Sequence, residues 1–374
     1  MTVIPDGNQG KHRVTKRGPA LSYPMFTLVT GIVGRWRAMS DAEDDILDEE
    51  QEGEESLEEP NEDEEAGAEE GDDKAEEEGE EEEPEKEEPP PHVPLTEEMI
   101  KEGLSVLCKT GNGLAHAYVT LQEITDISIL ESFIHLRYVD LSQNSLGDLS
   151  PLRFLTHLLS LRVDHNQLVS AAGLGELPYL QQASLAQNRI QDLQGLAHPR
   201  LESLNLIGNE LRSLESLDSS KLNSLHKLEL RGNKLLGTAG LHLPNLRELY
   251  LAQNNLKTLE GLDHLVHLTS LHLRDNQLET LDGFSEKMKA LQYLNLRGNL
   301  ISRLQEVDKL KVLPMLRALV LRENPCEEED GYRLETLVAL PHLERLDKDF
   351  FEEEERTEAA ETQRSRMEDG IPES

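Results

Sequence analysis

The stretch "LHLRDNQLETL", Leu271–Leu281, alternates leucine with polar residues as a half-buried strand does. It then places Asn276 where the next inward residue belongs. A buried amide without partners costs roughly 1–3 kcal/mol, so an asparagine lodged among core leucines needs a reason. The stretch also recurs. Asn144, Asn166, Asn188, Asn209, Asn233, Asn254, Asn276, Asn299 and Asn324 follow one another at intervals of 22, 22, 21, 24, 21, 22, 23 and 25 residues. Each has an apolar residue eight, five and three positions before it, as Leu268, Leu271 and Leu273 precede Asn276. A second apolar pair follows, here Leu278 and Leu281.

Nine copies in register of L-x-x-L-x-L-x-x-N-x-L-x-x-L are the pattern of a leucine-rich repeat. The expected fold is an α/β solenoid, a leucine-rich-repeat horseshoe of short coils. It has an N-terminal capping helix and a C-terminal leucine-rich-repeat cap, and disordered acidic segments flank it. Stepping back one period from Leu136, Val139 and Leu141 reaches Leu114, Ala117 and Val119, with Gln122 in the asparagine's place and Ile124 and Ile127 behind it. That is a degenerate opening coil, as a terminal repeat should be. Where each strand ends, the backbone turns away from the sheet with its N–H and C=O groups buried. An amide has donors and an acceptor for them, so the asparagines are expected to form a structural ladder serving their own coil and the next. Coils near 22 residues leave room for a 3₁₀ turn on the return side rather than a full helix. The longer returns, 213–225 and 303–316, read as length variation or as contact points.

The rest of the chain divides around this array. Residues 1–40 form a basic extension with six Lys/Arg and one Asp, expected to be disordered. Its "MFTLVTGIVG" (25–34) reads as a weak signal-like segment, or else residues 1–38 are an upstream extension and Met39 is the start. Residues 41–94 are Glu-rich; positions 41–91 alone hold 30 acids and two lysines, too few apolar groups to order the chain. Residues 95–113 read as the capping helix, capped by Thr96, with Ile100, Leu104, Leu107 and Cys108 on one face and Gly111-Asn112-Gly113 ending it. The repeats fill 114–324, about ten coils. In the cap, 325–350, Tyr332, Leu334, Leu337, Val338, Leu340, Leu343 and Leu346 form a helix-like apolar face. The tail, 351–374, reads as a solvated helix supported by Glu352–Arg356 and then disorder, with too little apolar surface for a coiled coil.

Composition narrows function. The formal charge of −37 sits mostly in 41–91, and with it the pI near 4.7. Two cysteines, Cys108 and Cys326, make no disulfide framework, which points to a reducing compartment. No phosphate-cradling glycine loop, nucleophile elbow or metalloprotease helix motif occurs, and no histidines and cysteines stand at zinc-ligand spacing. No catalytic residue, cofactor, metal or small-molecule substrate is therefore expected, and neither nucleic acid nor membrane is expected as a partner. What remains is protein binding on the sheet's outward face. Two places before successive ladder asparagines stand Arg231, Ala252, Arg274, Arg297 and Arg322, with Tyr250, His272, Tyr293 and Asn295 beside them. Arginine and tyrosine favour binding hot spots, so Arg231, Tyr250, His272, Arg274, Tyr293, Asn295, Arg297 and Arg322 are the candidate partner-binding residues. The bland reading stays open: Glu229, Asp275 and Glu323 pair with these arginines and merely keep the face soluble.

The 22-residue coils and closing "NPCEEEDGYRLETLVALPHLERLD" resemble the intracellular family that includes the regulatory leucine-rich subunit of protein phosphatase 1 and the outer-arm dynein light chain. The chain resembles more closely the radial-spoke leucine-rich-repeat proteins of motile cilia and sperm flagella. The stretches that carry this are "LTEEMIKEGLSVLCKTGNGLAHAYV", "HLRYVDLSQN", "LHLRDNQLETLDGFSEKMKALQYLNLRGN", "LRALVLRENPC" and "LERLDKDFFEEEER". The leader "MSDAEDD" is similar too, while residues 1–38 depart from that family. The resemblance implies a non-enzymatic scaffold in the head of the third radial spoke, in the axoneme, binding other spoke proteins and supporting ciliary and sperm motility. A regulatory subunit of a soluble enzyme such as a phosphatase, or an acidic nuclear histone-binding repeat protein, is the alternative.

Overall fold

A computed structural model describes residues 91–106, 115–118 and 123–368. The chain divides after Pro84, and all of these lie in the second unit. The basic extension with its Met39 start, the acidic run through residue 90, Leu107, Cys108, Leu114, Val119, Gln122 and the last six residues lie outside the described residues.

Each repeat leucine triplet contributes a strand of three or so residues, and the strands stack in chain order into one sheet. They are β2 (Ala115–Tyr118), β3 (Leu136–Asp140), β4 (Ser160–Arg162), β5 (Gln182–Ser184), β6 (Ser203–Asn205), β7 (Lys227–Glu229), β8 (Glu248–Tyr250), β9 (Ser270–His272), β10 (Tyr293–Asn295), β11 (Ala318–Val320) and β12 (Arg345–Leu346), all parallel. An antiparallel strand closes each end, β1 (Leu104–Val106) on β2 and β13 (Asp349–Phe350) on β12. Leu228, Leu249, Leu271, Leu294 and Leu319 pair in register, so the same leucine points into the core of these five coils. Several return segments form 3₁₀ turns, such as Ser150–Phe154 and Leu262–His264. The long return 303–316 holds a nine-residue 3₁₀ stretch, Leu304–Val312. Its Glu306 carboxylate accepts from the Leu281 N–H of the preceding coil at 2.8 Å.

The asparagines bond as a ladder, but to the preceding coil rather than the next. Asn276 Nδ2 donates to the carbonyls of Leu273 (2.9 Å) and Arg274 (3.1 Å) in its own coil and of Leu251 (3.0 Å) in the coil before. Its Oδ1 accepts from the Leu256 N–H, also in the coil before, at 3.1 Å. Asn166, Asn188, Asn209, Asn233, Asn254, Asn299 and Asn324 repeat all four contacts. Asn144 bonds its own turn and accepts from the Ile124 N–H of the opening coil. The geometry has a local cost. The residue before each ladder asparagine is left-handed: Gln143, His165, Gln187, Gln253, Asp275 and Glu323 have φ of 53–59°, and Gly208, Gly232 and Gly298 have φ of 64–69°. For a side chain that conformation costs roughly 1–2 kcal/mol, which the buried amide network offsets.

Both caps differ from expectation. The N-terminal helix α1 is Glu97–Gly103, with Thr96 Oγ1 accepting from the Met99 N–H and Ile100 fully buried. It stops ten residues short of Gly113, because Leu104–Val106 becomes β1. The first parallel strand has an open row of N–H and C=O groups, and a neighbouring strand satisfies them where more helix would not. At the other end α2 is Tyr332–Ala339, so Leu343 and Leu346 are buried from the following turn and β12, not from one helical face. Pro341 supplies no N–H and disfavours helix at Leu340. Tyr332 donates to Asp347 Oδ2 at 3.0 Å, and Asp347 Oδ1 accepts from Leu321 and Arg322 N–H, closing the last turn. The tail helix α3 (Glu353–Glu368) packs on α2 instead of standing free in solvent. Arg333 pairs with Glu355 at 2.8 Å, Arg366 with Glu335 at 2.6 Å, and Ala359 is buried. Arg356, expected to pair with Glu352, reaches the Leu343 carbonyl at 3.0 Å.

Replacing Asn276 by leucine removes three donated bonds and one accepted one, leaving buried groups of two coils unpaired. The expected loss is about 2–4 kcal/mol, read from the urea midpoint; an unchanged midpoint contradicts the ladder's role. His198, fully buried in a return segment, accepts from the Leu177 N–H through Nδ1, and burial lowers its pKa to about 4. The unfolded imidazole, near 6.5, binds a proton the folded one refuses, so stability falls as pH drops from about 6.5 toward 4. On the order of 1–2 kcal/mol should be lost between about pH 7 and 5, and His198→Gln should flatten that slope in denaturant titrations.

Candidate functional site

Side chains between the core leucines lie on the outward face of the sheet in three rows, because side chains alternate across a strand. In register across β7–β10, Glu229, Tyr250, His272 and Asn295 form the middle row. Lys227, Glu248, Ser270 and Tyr293 form the row beside it. The third row follows the strands and carries Arg231, Arg274, Arg297 and Arg322, interrupted by Ala252. Neighbouring strands lie about 4.8 Å apart, close enough for rings on successive coils to touch.

They do touch. The Tyr250 and His272 rings stack with centroids 4.4 Å apart, and His272 meets Tyr293 at 5.0 Å. Lys227 Nζ lies 4.9 Å from the Tyr250 centroid. Four successive strands thus contribute one cation and three rings to a continuous platform. Sequence reasoning set Tyr250, His272 and Tyr293 beside the arginines rather than against one another, and left Lys227 out of the candidate set, although it sits directly beside Glu248 in the register.

The arginines are more sheltered than a bare stripe. Arg274 Nε lies 3.1 Å from Asp275 Oδ2, and its side chain is only 12% exposed. Arg297 pairs with Glu323 and is 15% exposed. Arg322, near Glu327 at 3.7 Å, is 52% exposed. Hydrogen bonding from Arg297, with its positive charge, holds the Glu323 carboxyl below the usual range. Lys227 sits 3.0 Å from Glu229. Asp275 and Glu323 are two of the three acids expected to neutralise the arginines, and the third, Glu229, lies beside the lysine. Asn295 is buried rather than presented: its Oδ1 accepts from the Arg297 N–H at 3.1 Å and its Nδ2 donates to the Tyr293 hydroxyl at 3.4 Å. It positions the tyrosine and the arginine turn.

The N-terminal half of the face is a closed polar network that sequence reading did not find. Asp164 accepts from Ser184 Oγ, the Ala186 N–H and the Arg162 guanidinium, and Asp140 accepts from Ser142. A separate pattern is an Asp or Asn four places before a ladder asparagine, at Asp140, Asn205 and Asn295, each accepting from the N–H two residues on. Among the described residues no group of three His, Cys, Asp or Glu side chains is placed to hold a metal ion, and no helix is long and apolar enough to cross a membrane. Cys326 is buried, and burial pushes its thiol up to about 11.

Comparison with known proteins follows the same lines. A family model described as leucine-rich repeat matches residues 218–371. The human leucine-rich repeat-containing protein 23 is 58% identical over 270 residues, covering 71% of this chain and 78% of its own length. Its Xenopus tropicalis counterpart is 72% identical over 285 residues, 75% of this chain and 81% of its own. The chain belongs to the leucine-rich repeat-containing protein 23 family. An internalin from Listeria monocytogenes aligns at 23% identity and TM-score 0.47, over 63% of this chain and 61% of its own. The described residues of this chain build a leucine-rich-repeat solenoid, a fold suited to a protein-binding scaffold.

Because Arg297 is sheltered and Glu323 is half exposed, their coupling should be modest. A double-mutant cycle of Arg297→Ala and Glu323→Ala is expected to give about 0.5–1 kcal/mol, and no coupling would mean the pair does not order this face.

Proposed function

We propose that this chain is a non-enzymatic scaffold of the axonemal radial spoke. In this reading it sits in the head of the third spoke, holds other spoke proteins and supports ciliary, flagellar and sperm motility. Family membership and the resemblance to radial-spoke repeat proteins support the place; the Lys227–Tyr250–His272–Tyr293 platform supports the mode of binding. Rings held in contact across strands have little freedom left to lose on association, and aromatic side chains bury large areas. With Arg274, Arg297 and Lys227 already beside carboxylates, binding at this platform draws more on ring burial than on net charge. The exposed Arg322 adds a charge at the C-terminal border of the face.

The test has two parts. Antibody against the protein should stain the axoneme of motile ciliated cells; nuclear or diffuse staining overturns the placement. A Tyr250→Ala/Tyr293→Ala/Arg322→Glu variant should lose co-purification of spoke proteins at an unchanged melting midpoint. Full recovery of those proteins removes the platform from the binding face.

A further inference from the structure

A second surface lies away from the open face of the sheet, on the turns that lead into β3–β6. Those turns occupy the same place in each coil, so their residues stack at the spacing of the strands. They carry an aromatic and cationic series. His157 and Tyr179, one coil apart, stack with ring centroids 5.8 Å apart. The Arg200 guanidinium of the next coil lies 4.9 Å from the Tyr179 centroid. Arg137 donates to the His157 carbonyl at 2.8 Å, which joins the β3 coil to the same series. On the adjoining 3₁₀ turn Arg153 lies 4.8 Å from the Phe154 centroid.

Two properties set this surface apart from the platform. Its apolar groups are exposed: Ile134 by 46%, Phe154 by 40% and Tyr179 by 41%. Its arginines also differ in their surroundings. Among the described residues no carboxylate lies within 4.0 Å of Arg137, Arg153 or Arg200, although Glu131, Glu176 and Glu202 stand on the same coils. On the sheet face, by contrast, Arg274 and Arg297 each have an acid within that distance. Guanidiniums laid on rings keep most of their edge donors turned outward, and arginine is weakly hydrated for a cation, so both suit carboxylate capture.

We propose that the turns preceding β3–β6, together with Arg137 at the start of β3 and the 3₁₀ turn Ser150–Phe154, form a second docking surface, for a protein segment that carries carboxylates with interspersed aliphatic or aromatic side chains. Carboxylates of the segment meet Arg137, Arg153 and Arg200, while its apolar side chains cover Ile134, Phe154 and Tyr179. Charge complementarity selects this occupant, since the surface offers three guanidiniums with no carboxylate within 4.0 Å among the described residues. A scaffold with two faces on different sides of its coils can bridge two partners at once.

The test uses the full chain and a fluorescein-labelled peptide of glutamates interrupted by leucines, with a lysine–leucine peptide as control, read by anisotropy at low and high salt. The glutamate peptide should bind, the lysine peptide should not, and Arg137→Glu/Arg153→Glu/Arg200→Glu should weaken binding by about tenfold or more. Phe154→Ala/Tyr179→Ala should weaken it also at high salt, with melting unchanged in both variants. The Tyr250→Ala/Tyr293→Ala/Arg322→Glu variant should bind the peptide as wild type does. Equal affinity of the arginine variant, a loss confined to the Tyr250/Tyr293/Arg322 variant, or preference for duplex RNA over the acidic peptide would each overturn the proposal.

Discussion

The side-chain amide of the repeat asparagine is the constraint on which this molecule depends. It donates to two carbonyls of its own turn and one of the turn before, and accepts one N–H of the turn before. Without it, every coil would bury unpaired backbone where the strand leaves the sheet. Because each asparagine reaches back by one coil, the bonds are also the staple between neighbours. They fix coil spacing, and coil spacing fixes the register in which outward side chains meet.

Several other features follow from that staple. The left-handed residue before each asparagine turns the chain so that the amide points inward, and it recurs with glutamine, histidine, aspartate, glutamate or glycine alike. The common element is backbone geometry, not side-chain chemistry. A regular coil spacing also makes open ends, with no neighbour to supply the last set of partners. Strand β1, strand β13 and the Asp347–Tyr332 contact supply them instead.

The surface inherits the same regularity. Stacked coils bring residues some 22 positions apart into contact, which turns single rings into rows: Tyr250, His272 and Tyr293 on the sheet face, His157 and Tyr179 on the turns. The two rows differ in their electrostatics. On the sheet face, acids next to the arginines and lysine hold the cations down. On the turns, Arg153 and Arg200 lie over rings with no carboxylate of the described residues within 4.0 Å, and apolar groups are exposed.

The amino-acid sequence by itself determined the solenoid, because the nine asparagines and their flanking leucines report the burial period of a leucine-rich repeat. The stacked strands, short 3₁₀ returns and the inward asparagines were legible for that reason, and so was the outward direction of Tyr250, His272 and Tyr293, since position within a repeat dictates the direction of a side chain; their contact with one another was not. Only the tertiary structure decided the rest. Leu104 could continue a helix or start a strand, and the open edge of β2 settled it. Asn295 looked like a presented side chain until the turn claimed its amide. The Arg274–Asp275 and Arg297–Glu323 pairs, and the absence of such pairs among the described residues at Arg137, Arg153 and Arg200, depend on rotamers and on distances between coils. A one-dimensional pattern gives which face a residue is on, but not what lies within 4.0 Å of its charge.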